Sequence, residues 1–90
     1  MPYYIIPKNA PNWRSAEPVH ARSAEEAIRS SRLMERLLVD ASGAGKRGAH
    51  LSALVSESPS GEDAQEYRLF MQIIPKITIE AVKHSGLRSA

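Results

Sequence analysis

The chain has no cysteine, few aromatic residues and no long apolar run. Without cysteine it can form neither a disulfide framework nor a thiolate zinc site, which fits a reducing compartment. No apolar run approaches the roughly 18 residues that are needed to cross a bilayer, and no secretory signal pattern opens the sequence. We therefore expect a soluble cytoplasmic protein that makes no contact with a membrane.

The chain also has no large excess of either positive or negative charge. Twelve Lys and Arg oppose ten Asp and Glu, so the formal net charge is only +2. This balance is too even for a protein that coats nucleic acid with its whole surface, so any electrostatic function must be local. Ninety residues, 42% of them hydrophobic, suffice for one thin core and argue against a deep enzyme cleft. We expect one domain over residues 1–84 and a flexible tail at 85–90.

The strongest local signal is a capping box formed by Ser23 and Glu26, which predicts a helix over residues 23–39. Helical periodicity places an apolar stripe on one side of this helix, made of Ala24, Ala27, Ile28, Ser31, Met34 and Leu38. Arg29, Arg32 and Arg36 share a different face. One side of the helix is therefore expected to pack, while another presents cations.

Alternation of apolar and polar residues predicts strands on both sides of this helix, at 3–6, 19–22, 51–55, 64–74 and 77–82. The stretch 64–74 also fits helical spacing, and we interpret it as a strand. Glycine and serine predict a flexible loop at 40–48 and a turn at 59–63. The expected fold is α+β in the order β-β-α-β-β-β, with one helix packed on an antiparallel sheet of four to five strands.

No motif indicates catalysis. Gly43, Gly45 and Gly48 spell G-x-G-x-x-G, but a helix precedes this loop and a strand follows it, which is the reverse of a dinucleotide site. The three histidines lie 30 or more residues apart without partners at metal-ligand spacing, and no serine is framed as a nucleophile. We expect no enzymatic activity, no metal and no cofactor.

Three basic groups are candidate binding residues: the helix arginines Arg29, Arg32 and Arg36, the loop cations Lys46 and Arg47, and Arg14 beside Trp13. Glu25 can neutralise Arg29, whereas Arg32 and Arg36 repel each other, which an anionic partner would relieve. The alternative is an ordinary solvated helix face. Trp13 is either a lid over one end of the core or an exposed interface anchor.

An acidic patch is a second candidate surface. Four carboxylates occur near the predicted turn without an intervening cation: Glu57, Glu62, Asp63 and Glu66. Such a cluster is either a solvated turn or a surface that replaces phosphates in the basic groove of a partner. Together with the arginines it would make the domain electrically bipolar.

The order of these segments resembles small phage-encoded anti-CRISPR proteins. The likeness is one of architecture over residues 3–38, and three segments carry it: Tyr3-Tyr4-Ile5-Ile6, Val19-His20-Ala21-Arg22 and Ser23-Ala24-Glu25-Glu26-Ala27. The resemblance implies an inhibitor that binds a type I CRISPR-Cas surveillance complex in the host cytoplasm and blocks target DNA or nuclease recruitment. The alternatives are a small RNA- or DNA-binding module and an antitoxin-like domain. The oligomeric state stays open.

Overall fold

The computed structural model describes residues 2–9, 12–72 and 76–82 of the chain. It contains five strands and two α-helices: β1 (Pro2–Pro7), β2 (Glu17–His20), α1 (Ala24–Arg29), α2 (Leu33–Ala44), β3 (Ala49–Ser56), β4 (Gln65–Met71) and β5 (Ile77–Ala81). Short 3-10 helices at Trp13–Ser15 and Gly45–Arg47 precede β2 and β3. The α+β class and the chain order of the strands are confirmed. The predicted tail at 85–90 lies outside the described residues.

The strands form one antiparallel sheet in the order β2-β1-β3-β4-β5. Both predicted hairpins are present, because β1 pairs with β2 and β3 pairs with β4. The ambiguous stretch at 64–74 is a strand over Gln65–Met71, and the predicted strand at 19–22 begins two residues earlier, at Glu17. β3 lies in the middle of the sheet and is its longest strand.

The helices cover one face of the sheet. Odd-numbered residues of the long strands point to this face, where Ala53, Leu69 and Met71 are fully buried beneath Ile28 and Leu37. The alternation of apolar and polar residues in the strands therefore fixes which face packs. Removing a side chain such as Leu37 from this core typically lowers stability by about 2–5 kcal/mol.

The single helix predicted over residues 23–39 is wrong in its middle, because the chain breaks between α1 and α2. The Ser31 hydroxyl is buried, donates to the carbonyl oxygen of Ile28 at 2.7 Å and accepts from the Leu33 N–H at 3.3 Å. Such local hydrogen bonds compete with the regular helical ladder. Downstream of the break the helix presents Leu33 and Leu37 to the core.

The break has two consequences for the predicted pattern. Leu38, assigned to the apolar stripe, is 38% exposed, and Met34 is only partly buried. The loop expected at 40–48 is helical as far as Ala44 and continues as the 3-10 helix Gly45–Arg47. The helix ends where Gly45 takes φ 61°, a conformation that favours glycine.

Candidate interaction surfaces

The start of α1 has the predicted capping interactions. The Glu26 N–H donates to the Ser23 hydroxyl at 3.1 Å, and the Glu26 carboxylate accepts from the Arg22 N–H at 2.9 Å. The carboxylate thus reaches one residue further back than in the usual capping box. This arrangement fixes where the helix starts and with it the position of Arg29, one turn later.

The three helix arginines are exposed but do not form one contiguous group. Arg29 ends α1, forms an ion pair with Glu25 at 3.3 Å and lies 3.5 Å from the carbonyl oxygen of Ile77 on β5. Arg32 lies in the break, where its backbone N–H donates to Glu17 of β2 at 2.8 Å. β2 and β5 are opposite edges of the sheet, so these two arginines lie on opposite sides of the helical layer.

Arg36 lies in a groove at one end of the sheet. The groove has a volume of about 480 Å³ and is lined by Lys8, Asn9, Arg36, Asp40, His50, Leu51 and Ser52. It exists because β1 pairs with β3 only as far as Pro7 opposite Ala53, with one further bond from the Lys8 N–H to the Ser52 carbonyl at 2.9 Å. β3 extends beyond this point to Ala49, so β1 ends before its neighbour does.

The loop cations Lys46 and Arg47 lie at this same end. Gly48 separates them from β3, and the Gln72 side chain just past β4 donates to the Lys46 carbonyl oxygen at 2.6 Å. Both side chains are exposed. We call Lys8, Arg36, Lys46 and Arg47 the basic end of the molecule.

Ion pairing leaves most of the basic end uncompensated. Lys8 forms an ion pair with the buried carboxylate of Glu66 at 2.9 Å. Within the described part of the chain, Arg36, Lys46 and Arg47 form no ion pair. Asp40 lines the groove beside Arg36 and lowers the local positive charge there.

The predicted acidic patch divides into two parts. Glu57, Glu62 and Asp63 are exposed around the β3–β4 turn, at the end of the sheet opposite the basic end. Asp63 accepts from the Ser56 hydroxyl at 2.6 Å and Glu62 from the Ser60 hydroxyl at 3.0 Å, so both carboxylates help to hold the turn. Glu66 is only 6% exposed and lies within β4, apart from the patch.

Trp13 and Arg14 lie near the acidic turn. A Cβ added to Gly61 would overlap the indole ring of Trp13, so the ring packs directly on the turn backbone. Asn12 caps the short helix by accepting from the Arg14 N–H at 3.2 Å, while the Arg14 side chain is exposed. Trp13 is therefore half-buried against a turn and is not among the residues packed on the core cluster, and both residues lie away from the basic end.

His50 and Phe70 are a feature that the sequence interpretation missed. They are directly opposed on β3 and β4, on the face away from the helices, with ring centroids 4.6 Å apart and planes inclined by 35°. A small hollow of about 160 Å³ continues from Phe70 to Gln72, Lys76 and Thr78. The sequence does contain a signal for this pair. His50 and Phe70 both occupy even-numbered positions of the two alternating strands, so both side chains are expected on the face away from the helices.

The described residues contain neither a cluster of metal ligands nor a membrane-spanning helix. No group of three or more His, Asp or Glu is arranged to hold a metal ion within residues 2–9, 12–72 and 76–82. No helix in that part of the chain is long and apolar enough to cross a bilayer. Comparisons of the chain with protein-family models, curated proteins and solved structures find no match.

Proposed function

We propose that the chain is a non-enzymatic binding protein whose working surface is the basic end. The observation that carries this proposal is that Arg36 lines the groove while Lys46 and Arg47 lie at the same end of the sheet, all three exposed and without ion-pair partners among the described residues. Exposed, unpaired cations of this kind attract an anionic surface and steer its approach.

The partner that we propose is a type I CRISPR-Cas surveillance complex, with the protein acting as a phage-type inhibitor that blocks target DNA or nuclease recruitment. The support for this choice is the architectural resemblance over residues 3–38. A nucleoprotein surface also offers the phosphates and carboxylates that the basic end would recognise. The acidic turn at Glu57, Glu62 and Asp63, at the opposite end, leaves the molecule bipolar and would orient it on such a surface.

Charge reversal at the basic end tests this proposal. We expect the variant R36E/R47E to bind a purified type I surveillance complex roughly tenfold or more weakly than the wild type, because two attractive contacts become repulsive. The matched control is R14E/R22E, which makes the same charge change at exposed residues outside the basic end. Both variants should unfold within about 0.5 kcal/mol of the wild type, since all four positions are exposed.

The measurement is a titration of labelled protein with the complex, followed by its effect on target DNA binding. Equal weakening by both variants would contradict a localised basic end. Failure of the wild type to bind the complex would refute the inhibitor proposal.

A small nucleic-acid-binding module is the second candidate, favoured by the same unpaired cations. Three or four phosphate contacts would make log K fall with log salt at a slope of about −3. A fluorescent DNA duplex titrated with the free protein at several salt concentrations measures this slope. Tight duplex binding with that slope, lost in R36E/R47E, would replace the inhibitor proposal with this one.

A further inference from the structure

Among the described residues, no strand pairs with the outer edge of β5. The Val82 N–H donates to the Glu66 carbonyl at 2.9 Å, so even-numbered residues of this segment face β4. In an antiparallel ladder, alternate residues point their N–H and C=O groups to opposite sides, which directs those of Ile77 and Ile79 outward. The approach of the Arg29 guanidinium to the Ile77 carbonyl at 3.5 Å agrees with this direction.

The two edges of the sheet differ in how well they are protected. β2 is only four residues long and contains Pro18, which has no N–H to donate. β5 contains no proline, and its side chains alternate regularly in the order Ile77-Thr78-Ile79-Glu80-Ala81. Lys76 precedes this strand and is exposed.

We propose that two copies of this chain pair through β5, antiparallel about a two-fold axis at Thr78, and so join their sheets into one of ten strands. Strand addition at a free edge gives backbone hydrogen bonds, and an isologous interface requires a self-complementary sequence. In this register Lys76 stands opposite Glu80 of the second copy, and Glu80 stands opposite its Lys76. Ile77 and Ile79 pair on the helix-covered face, and Thr78 meets its own copy on the other face.

Charge and hydrogen-bond direction select this register over its neighbours. The outward groups belong to odd-numbered residues, so only registers that oppose odd with odd residues can form bonds. A two-fold axis at Glu80 would oppose two glutamates, and an axis at Ile79 would leave Lys76 opposite Val82. The axis at Thr78 is the one that forms two opposite-charge pairs, and directly opposed like charges are unfavourable.

Within one copy, β4 already places a cation next to Glu80. Arg68 on β4 is already directly opposite Glu80, so in the dimer Glu80 would lie between Arg68 and Lys76 of the second copy. All three lie on the face away from the helices, because even-numbered positions share that face. The Ile77 carbonyl can accept a backbone bond while Arg29 remains nearby, since a carbonyl oxygen has two lone pairs.

A charge-swap experiment on the full chain tests the dimer. Mass measured by light scattering or sedimentation across a concentration series should show the wild type as a dimer. K76E and E80K should each raise the dimer dissociation constant about tenfold, because symmetry converts both opposite-charge pairs into like-charge pairs at once. K76E/E80K should recover most of the affinity lost in either single variant, because it restores both opposite-charge pairs across the interface, while the new charge at position 80 is repelled by Arg68 of its own sheet. An equimolar mixture of K76E and E80K should form heterodimers, which native mass spectrometry identifies.

The matched control is R22E, which reverses an exposed charge outside the edge strand and should leave the constant unchanged. A wild type that stays monomeric at hundreds of micromolar would overturn the proposal. A dimer that tolerates both single reversals would place the interface elsewhere and overturn it as well. Neither result bears on the basic end, so this inference and the proposed function fail independently.

Discussion

At the scale of single residues, the contact between Gly61 and Trp13 connects two loops that are far apart in sequence. Gly61 has φ 76° and lies against the indole ring, so the position needs both the backbone freedom of glycine and its lack of a side chain. The single tryptophan is thereby held on the β3–β4 turn. Gly43 differs in both respects, since it lies within α2 and an added Cβ would meet nothing within 4 Å.

We predict opposite effects of alanine at these two glycines. G61A should lower the free energy of unfolding by about 2 kcal/mol or more, because it strains the backbone and displaces Trp13. G43A should raise it by up to about 1 kcal/mol, because alanine favours an exposed helical position. Denaturant unfolding followed by tryptophan fluorescence measures both. A neutral G61A would show that the indole ring does not depend on this turn.

At the scale of elements, one buried serine lies in the break between α1 and α2. Ser31 bonds the last turn of α1 to the first turn of α2 and so serves both helices. The redirected chain then presents Leu33, Leu37 and Ala41 to the sheet. The same change of direction separates Arg32 from Arg36 in space, since Arg36 alone of the helix arginines lines the groove.

We predict that S31A lowers the free energy of unfolding by about 1–2 kcal/mol, since it leaves the buried Leu33 N–H without its partner and removes one of the two donors to the Ile28 carbonyl. S30A, at the exposed neighbouring serine, is the control and should change stability by less than about 0.5 kcal/mol. Urea titration followed by circular dichroism measures both variants. Equal stabilities would mean that sheet packing, rather than Ser31, imposes the break.

At the scale of the whole molecule, packing of the helices on the sheet raises the pKa of Tyr67. Burial beneath the helices raises the pKa of the Tyr67 phenol above its ordinary value of 10.0, and the nearby Tyr3 and Glu25 raise it further. These three residues belong to β4, β1 and α1, so the shift exists only in the assembled fold. Charge is distributed on the same scale, with the basic end and the acidic turn at opposite ends of the strands.

The raised pKa of Tyr67 predicts how stability depends on alkaline pH. The folded protein holds the phenol proton more tightly than the unfolded chain, so this contribution is fully present below pH 10 and is lost as pH rises through the folded pKa. Y67F should therefore lose less stability than the wild type between about pH 9 and 12. Thermal unfolding at a series of pH values measures this, with Y4F on the opposite face as control. Parallel curves for Y67F and the wild type would contradict the assignment.

Local patterns in the sequence determined the class of the fold. Period-two alternation predicted the strands, because strands buried on one face need it, and Ser23 with Glu26 predicted the start of α1, because capping involves only near neighbours. The helix break could not be predicted this way. Whether Ser31 points to solvent or into the core depends on the sheet beneath it, and periodicity read through the break assigns Leu38 to the wrong side.

Tertiary structure alone decided how the candidate surfaces are composed. Arg36 lines one groove with Lys8 and His50 only because β1 stops short of the start of β3, which follows from register between strands 40 residues or more apart in sequence. The order β2-β1-β3-β4-β5 likewise places β5 at an edge of the sheet. Sequence determines which residues can bury, bond or carry charge, whereas long-range strand pairing determines which of them become neighbours.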